Sequence, residues 1–155
     1  MRFEKVDSAK KLLELLVRHD GSAARTISSR VGDLKQYSEK LFLYAENFTV
    51  SDGAGFFSFY GNDTSNHVIY LTLIAVDSEL RGQGLGASML GYLEAFGKQN
   101  GRNRIKLEVD KKNHRAIRFY RKNGFQRMAD ASAESFFMEK EIERDVSLGE
   151  KRIGF

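Results

Sequence analysis

Apolar residues recur along the chain at two spacings, which predict alternating helices and strands. A helical spacing follows Ser8, a candidate N-cap, and predicts a helix over 8–19. A second helix is predicted over 33–46, with an apolar stripe of Leu34, Tyr37, Leu41 and Tyr44. The polar segment 20–31 between them is predicted to be a loop, and 2–6 a short first strand.

Short runs of β-branched and aromatic residues predict the other strands. They cover 48–50, 55–60, 67–76 and 104–109, followed by a closing antiparallel pair over 125–128 and 136–142. The segments 51–53 and 61–63 have turn compositions. In the strand over 104–109, we expect Ile105, Leu107 and Val109 on one face and Lys106 and Glu108 on the other.

Two more helices complete the pattern. The helix predicted over 87–99 packs through Met89, Leu90, Leu93 and Phe96, and the one predicted over 113–123 ends at Gly124, a C′ glycine. The order β-α-α-β-β-β-α-β-α-β-β predicts a single α/β (α+β mixed) domain, a mixed, mostly antiparallel sheet flanked by helices. We expect the domain to span 1–142 and the charged tail 143–155 to be loosely ordered.

Composition narrows the class of protein. The 155 residues are 41% hydrophobic and 30% charged, which suits one folded domain with a single core. The absence of cysteine excludes disulfides, thiolate metal sites and a cysteine nucleophile, and the spacing of His19, His67 and His114 forms no metal site. No apolar run is long enough for a membrane span and 1–10 is too polar for a signal peptide, so we expect a cytoplasmic protein without a membrane partner.

The net charge of +4 is concentrated in one segment. Its cations are Arg102, Arg104, Lys106, Lys111, Lys112, Arg115, Arg118, Arg121, Lys122 and Arg127. Such a stripe is typical of a nucleic-acid surface, a solvated face or a dock for one phosphorylated ligand. No aromatic reading platform accompanies the charge, so nucleic acid is the least favoured of the three.

The segment Arg81-Gly82-Gln83-Gly84-Leu85-Gly86 lies between a predicted strand and a predicted helix. Unpaired N–H groups and the macrodipole at a helix N-terminus favour an anion, and glycines allow a phosphate to approach the backbone. The dinucleotide fingerprint lacks its third glycine, and the P-loop lacks its lysine. The segment therefore predicts either a different phosphorylated cofactor or a structural turn.

The helix predicted after Asn113 places Asn113, Ile117 and Tyr120 on one face. Two polar residues around an aliphatic one are typical of a cleft lining. The alternative is a helix that caps itself with Asn113 and packs Tyr120 into the core. The residues alone leave both interpretations open.

Together these segments resemble the GNAT (GCN5-related N-acetyltransferase) superfamily, over about 1–142. Arg81, Gly84 and Gly86 match its pyrophosphate loop, and Asn113, Ala116, Tyr120, Gly124 and Phe125 match its last helix. The order of predicted elements matches as well. In place of the proline usual after the fourth strand stands Ser78.

The resemblance implies acetyl-coenzyme A as co-substrate and no metal. The backbone of 81–86 would bind the pyrophosphate, and the strand over 67–76 would splay from its neighbour at a bulge and pair with the pantetheine arm. The residues assigned to the co-substrate are Ile74, Ala75, Val76, Arg81, Gly82, Gln83, Gly84, Leu85, Gly86, Asn113, Ala116, Phe119 and Lys122. The basic segment, with Arg121 and Lys122 nearest the helix end, is the candidate for the nucleotide's phosphates.

The resemblance also implies attack of an amine on the thioester, with Tyr120 protonating the departing sulfur. Glu108 is the candidate general base; a water network, or an ion pair of Glu108 with Lys106 or Arg104, is the alternative. The strand over 67–76 carries no acid, so one common position for the base is absent. Asp77 is expected to cap the loop that follows.

The acceptor is expected to be a small-molecule or peptide amine. The resemblance places specificity in 20–31 and 129–135, where Arg25 and Arg30 either bind an acceptor carboxylate or phosphate or are solvated. A fainter likeness of 37–63 to acetyltransferases found with bacterial surface-polysaccharide genes favours an amino sugar. A protein N-terminus or lysine, an amino acid, a polyamine, a non-catalytic coenzyme A-binding module and a homodimer remain open.

Overall fold

A seven-stranded sheet forms the centre of the computed structural model, which describes residues 2–21 and 26–143. In chain order the elements are β1 (Glu4–Lys5), α1 (Ala9–His19), α2 (Ile27–Val31), α3 (Leu34–Tyr44), β2 (Glu46–Val50), β3 (Gly55–Asp63), β4 (Val68–Val76), α4 (Leu85–Asn100), β5 (Arg104–Asp110), α5 (His114–Lys122), β6 (Gln126–Asp130) and β7 (Ser135–Glu141). A short 3-10 turn, Ser78–Leu80, precedes α4.

The strand order β1-β2-β3-β4-β5-β7-β6 is antiparallel except for the parallel pair β4–β5. Helices α1, α2 and α3 cover one face of the sheet around Leu12, Leu16 and Leu41, and α4 and α5 cover the other around Met89 and Leu93. The predicted mixed, mostly antiparallel sheet flanked by helices is therefore confirmed. The predicted tail lies outside the described residues from 144 onward. The predicted domain limits of 1–142 stay a prediction.

Two helices begin where the sequence predicts, because the side chain that caps each lies within three residues of the amide it binds. Ser8 Oγ accepts from Lys11 N at 3.1 Å, and Asp33 Oδ1 accepts from Lys35 N at 2.9 Å. Such caps satisfy amides that have no partner within the helix. Gly124, with φ +93°, ends α5 as predicted, since the left-handed conformation costs glycine little.

Two local predictions are wrong. Part of the predicted loop 20–31 is the helix α2, because Thr26 Oγ1 caps it and the Asp20 carboxylate binds Ser28. The predicted turn 61–63 is the end of β3, and the chain turns at 64–67, where Asp63 Oδ1 accepts from two following backbone amides.

Two helix details also differ from the sequence prediction. Tyr44 is 65% exposed rather than part of the apolar stripe, since it is the last residue of α3 and the chain is extended at Ala45. Helix α4 begins at Leu85, two residues earlier than predicted, so its N-terminus lies inside the glycine segment.

Candidate functional site

Strands β4 and β5 pair over three positions and then separate. The register is Val68 with Arg104, Ile69 with Ile105 and Tyr70 with Lys106. Just beyond, Thr72 is an extra residue in β4, because Leu71 pairs with Phe59 while Leu73 pairs with Ser58. This bulge bends β4 away from its parallel neighbour. A cavity of about 470 Å³ lies between the separated ends, and 71–76 of β4 line it.

The glycine segment closes one end of this cavity. Gly84 has φ +86° and is the N-cap of α4, with no side-chain cap, so the first amides of a 16-residue helix have no side-chain acceptor. A Cβ on Gly86 would lie 2.7 Å from the Phe119 ring, so this glycine allows α4 and α5 to pack closely. Gln83 points elsewhere and donates to Glu79 O at 3.4 Å.

Helix α5 brings an amide and a phenol to the cavity. Asn113 Oδ1 accepts from Ala116 N at 3.2 Å, so Asn113 does cap its helix. Tyr120 is 8% exposed and packs against Phe119 and Phe125, with ring centroids 5.4 and 5.5 Å away. Burial raises the pKa of the phenol above its ordinary value, and the positive charge of Arg30 opposes this only in part.

The Tyr120 hydroxyl makes no hydrogen bond within the described part of the chain, and the residue lines the cavity. Buried tyrosines usually satisfy the hydroxyl with a protein partner. The phenol is therefore packed as a core residue, while its polar atom is free to bond a molecule in the cavity.

Glu108 lies on the wall formed by β5, with its side chain exposed. Its Oε2 accepts from Ser135 Oγ at 2.6 Å, which connects it to the segment 129–135. Among the residues described, Glu108 forms no ion pair with Lys106 or Arg104. Lys106 instead stands over the Phe137 ring at 4.2 Å. Burial, together with the negative charge of Glu108, raises the pKa of Tyr70.

The structure brings most of the predicted site residues to this one cavity. Lining it are Ile74, Ala75, Val76, Arg81, Gly82, Gly84, Leu85, Gly86, Glu108, Asn113, Ala116, Phe119, Tyr120 and Lys122. Gln83 and Arg121 do not line it, whereas Arg30 does. Arg25 lies outside the described residues.

Cations gather where this cavity meets a second one of about 790 Å³. Arg81 and Arg115 line both cavities, and burial together with the charge of Arg81 lowers the pKa of Arg115. Other members of the basic segment bind elsewhere: Arg102 donates to Gly61 O, and Lys111 and Arg127 share Asp130. The segment is therefore not one continuous cationic face.

The structure corrects the role expected of Asp77. Its side chain makes no capping bond, because Arg18 binds it through Nε to Oδ1 at 3.3 Å and Nη2 to Oδ2 at 2.5 Å. Buried His19 has Nε2 2.8 Å from Gly53 O and Nδ1 3.8 Å from Asp77 Oδ1. This network fixes the end of β4. No local sequence pattern indicates this network, since Arg18 and Asp77 are 59 positions apart.

We expect Asp77→Ala to lower the free energy of unfolding by about 1–2 kcal/mol at neutral pH. This loss is smaller than for a fully buried charge-assisted hydrogen bond, because the Arg18 side chain is 42% exposed. The hydrogen bonds from Arg18 hold the folded-state pKa of Asp77 below its ordinary value. The stabilisation is therefore complete above about pH 4 and is lost as the pH falls through the folded-state pKa.

Urea unfolding of wild type and variant at several pH values measures this difference, with Asp7→Asn as the control, since Asp7 pairs with Lys11 in solvent. A gap between wild type and Asp77→Ala that stays constant into acid would contradict the role of the ion pair.

No helix over 2–21 or 26–143 is long and apolar enough to cross a membrane. No group of three or more histidine, cysteine, aspartate or glutamate side chains in those ranges is arranged to hold a metal ion.

Comparison with known proteins gives one family. The family model described as "Acetyltransferase (GNAT) family" matches residues 10–125. An uncharacterized N-acetyltransferase, YesJ of Bacillus subtilis (strain 168), is 38% identical over 84 residues, which cover 54% of this chain and 46% of that protein. The match thus spans about half the length of that curated relative.

Solved structures share the fold. A putative acetyltransferase of the GNAT family from Desulfovibrio desulfuricans has a TM-score of 0.75 at 16% identity, covering 92% of this chain and 99% of that one. The PaiA N-acetyltransferase of Thermoplasma acidophilum, solved in complex with coenzyme A, has a TM-score of 0.70 at 20% identity, covering 91% and 99%. At these identities the likeness concerns the fold alone.

Proposed function

This chain belongs to the GNAT acetyltransferase family, and we propose that it transfers an acetyl group from acetyl-coenzyme A to the primary amine of a small-molecule or peptide acceptor. The observation that carries the proposal is the hydroxyl of Tyr120, a buried residue whose hydroxyl has no partner among the described residues and which lines the cavity between β4 and β5. A proton donor in that position suits a reaction whose leaving group must gain a proton.

The residues around the cavity fit the co-substrate. The edge of β4 over 71–76 has no pairing with β5, so its backbone groups can bond an extended arm as another strand would. Beside it stand the N-terminus of α4 and the cations Arg81, Arg115 and Lys122, which favour phosphates. Asn113 and Phe119 would hold the arm on the side of α5.

The chemistry requires one bond to form and one to break. The acceptor nitrogen bonds the thioester carbon, the carbon–sulfur bond breaks, the amine gives up a proton and the sulfur gains one. Tyr120 would donate the proton to sulfur, and its raised pKa keeps the phenol protonated until then. A backbone N–H of 74–76 facing the thioester oxygen would contribute roughly 2.7–4 kcal/mol to transition-state stabilisation.

Glu108 would accept the proton of the amine, directly or through water. Its carboxylate lines the cavity and is oriented by Ser135 Oγ, which leaves acceptor capacity for a second donor. This geometry supports Glu108 over Asp77, whose carboxylate is bound by Arg18.

Thiol release from acetyl-coenzyme A, measured across amino sugars, amino acids, polyamines and peptides, tests the proposal. We expect acceptor-dependent release by the wild type, and a fall in kcat of about 10²-fold or more in Glu108→Gln, the scale of general acid–base catalysis. Glu139→Gln on β7 is the matched control and should retain activity. Coenzyme A binding without release for any amine would contradict transfer, and an unchanged kcat in Glu108→Gln would assign the base to a water network.

A further inference from the structure

Arg30 presents an unpaired positive charge at the cavity. It lies in the last turn of α2 and lines the same cavity as Tyr120 and Glu108. Over 2–21 and 26–143, no carboxylate lies within ion-pair distance of its guanidinium, and its charge is felt at the Tyr70 and Tyr120 phenols. A guanidinium at a cleft without a protein counter-ion is suited to bind an anion from solution.

The backbone that carries Arg30 is held in place. Ile27 is buried in the core formed with α1 and α3, and Thr26 Oγ1 caps α2 by accepting from Ser29 N at 3.0 Å. The Asp20 carboxylate accepts from Ser28 N at 2.8 Å and Ser28 Oγ at 2.9 Å. These contacts give the short helix a defined position beside the cavity, so less order must be imposed when a ligand binds.

Charges of opposite sign border the cavity on different elements. Glu108 on β5 can receive an ammonium group, while Arg30 on α2 can receive an anion. Lys106, on the same face of β5 as Glu108, is occupied over the Phe137 ring. The pattern is complementary to a small molecule that carries both charges.

From this arrangement we infer that the acceptor is a primary amine bearing a nearby carboxylate or phosphate, with Arg30 binding the anionic group and Glu108 facing the amine. The inference rests on the proposed acetyl transfer and adds the chemical class of the acceptor. An α-amino acid and a phosphorylated amino sugar share this chemistry.

Matched pairs of acceptors test it: an amino acid against its carboxamide, and a hexosamine phosphate against the free hexosamine. We expect the wild type to prefer the anionic member of at least one pair. Arg30→Gln should raise KM for that member by about 10- to 100-fold, the range expected for hydrogen bonds to a charged group. Activity on the neutral member should fall much less, because only the anionic member bonds the guanidinium, whereas the loss of its positive charge at the Tyr120 phenol affects both members equally. Lys35→Gln is the control, because it removes the same charge from an exposed position on α3.

Equal losses on both members of each pair, or a wild-type preference for neutral amines, would overturn the inference and leave acetyl transfer standing. Calorimetry with the anionic amines and coenzyme A-loaded protein separates the two proposals. Binding that disappears in Arg30→Gln supports the anion site even if no thiol is released, and absence of binding to the wild type overturns it.

Discussion

Tyr120→Phe is expected to lower turnover by about 10²–10⁴-fold, the usual contribution of a positioned general acid, while coenzyme A affinity stays close to that of the wild type. The variant keeps the ring that packs on Phe119 and Phe125 and removes only a hydroxyl that has no partner among the described residues. Stability should therefore change little, and the loss should fall on kcat rather than on binding.

Steady-state thiol release and coenzyme A calorimetry measure the two effects separately. Tyr92→Phe is the matched control, because Tyr92 is a partly buried phenol in the aromatic cluster around Phe57 and does not line the cavity. Turnover of Tyr120→Phe equal to that of the control would remove Tyr120 from the mechanism and leave it as a core residue.

The second large effect is expected at Gly86. An alanine Cβ there would lie 2.7 and 2.9 Å from two Phe119 ring atoms, so the ring or α5 must move. Overpacking of this kind costs about 1–3 kcal/mol. Because Phe119 and the α4 N-terminus border the same cavity, we also expect coenzyme A binding to weaken by about tenfold, equivalent to roughly 1.4 kcal/mol.

Gly91→Ala is the control, five residues further along α4, where a Cβ has nothing within 4 Å. It should stabilise the helix by about 1 kcal/mol through propensity alone and leave coenzyme A affinity unchanged. Urea unfolding of both variants measures the change in stability, and calorimetry measures the change in coenzyme A affinity. A Gly86→Ala protein as stable and as tightly binding as Gly91→Ala would show that Phe119 yields without consequence.

The sequence was sufficient for several helix ends and for one strand, where structure depends on near neighbours. Ser8 begins α1 and Gly124 ends α5 as predicted, since each acts within three or four residues. The same holds for the alternation of Ile105, Leu107 and Val109, which face the core. The sheet itself followed from the order of elements and from the resemblance.

Non-local contacts were beyond the sequence. Helix α2 depends on the Asp20 carboxylate, and the fixed end of β4 depends on Arg18 and His19 meeting Asp77 across the fold. No periodic pattern marks such pairs. Only the resemblance predicted that the candidate residues would meet at one cavity. The structure adds that Gln83 is bonded to Glu79 O outside this cavity, whereas Arg30 lines it.

Because of the bulge at Thr72, the cleft depends on the number of residues in β4 more than on which residues they are. Ahead of it odd-numbered Ile69 and Leu71 face the α4 layer, and after it even-numbered Ile74 and Val76 do. Deleting one residue would restore an unbroken ladder with β3 and turn the second half of β4 over, because side chains alternate with a period of two. Substitutions do not change which face of the sheet each position of β4 occupies. Along this strand, divergence among relatives should therefore proceed by exchange of side chains and spare its length.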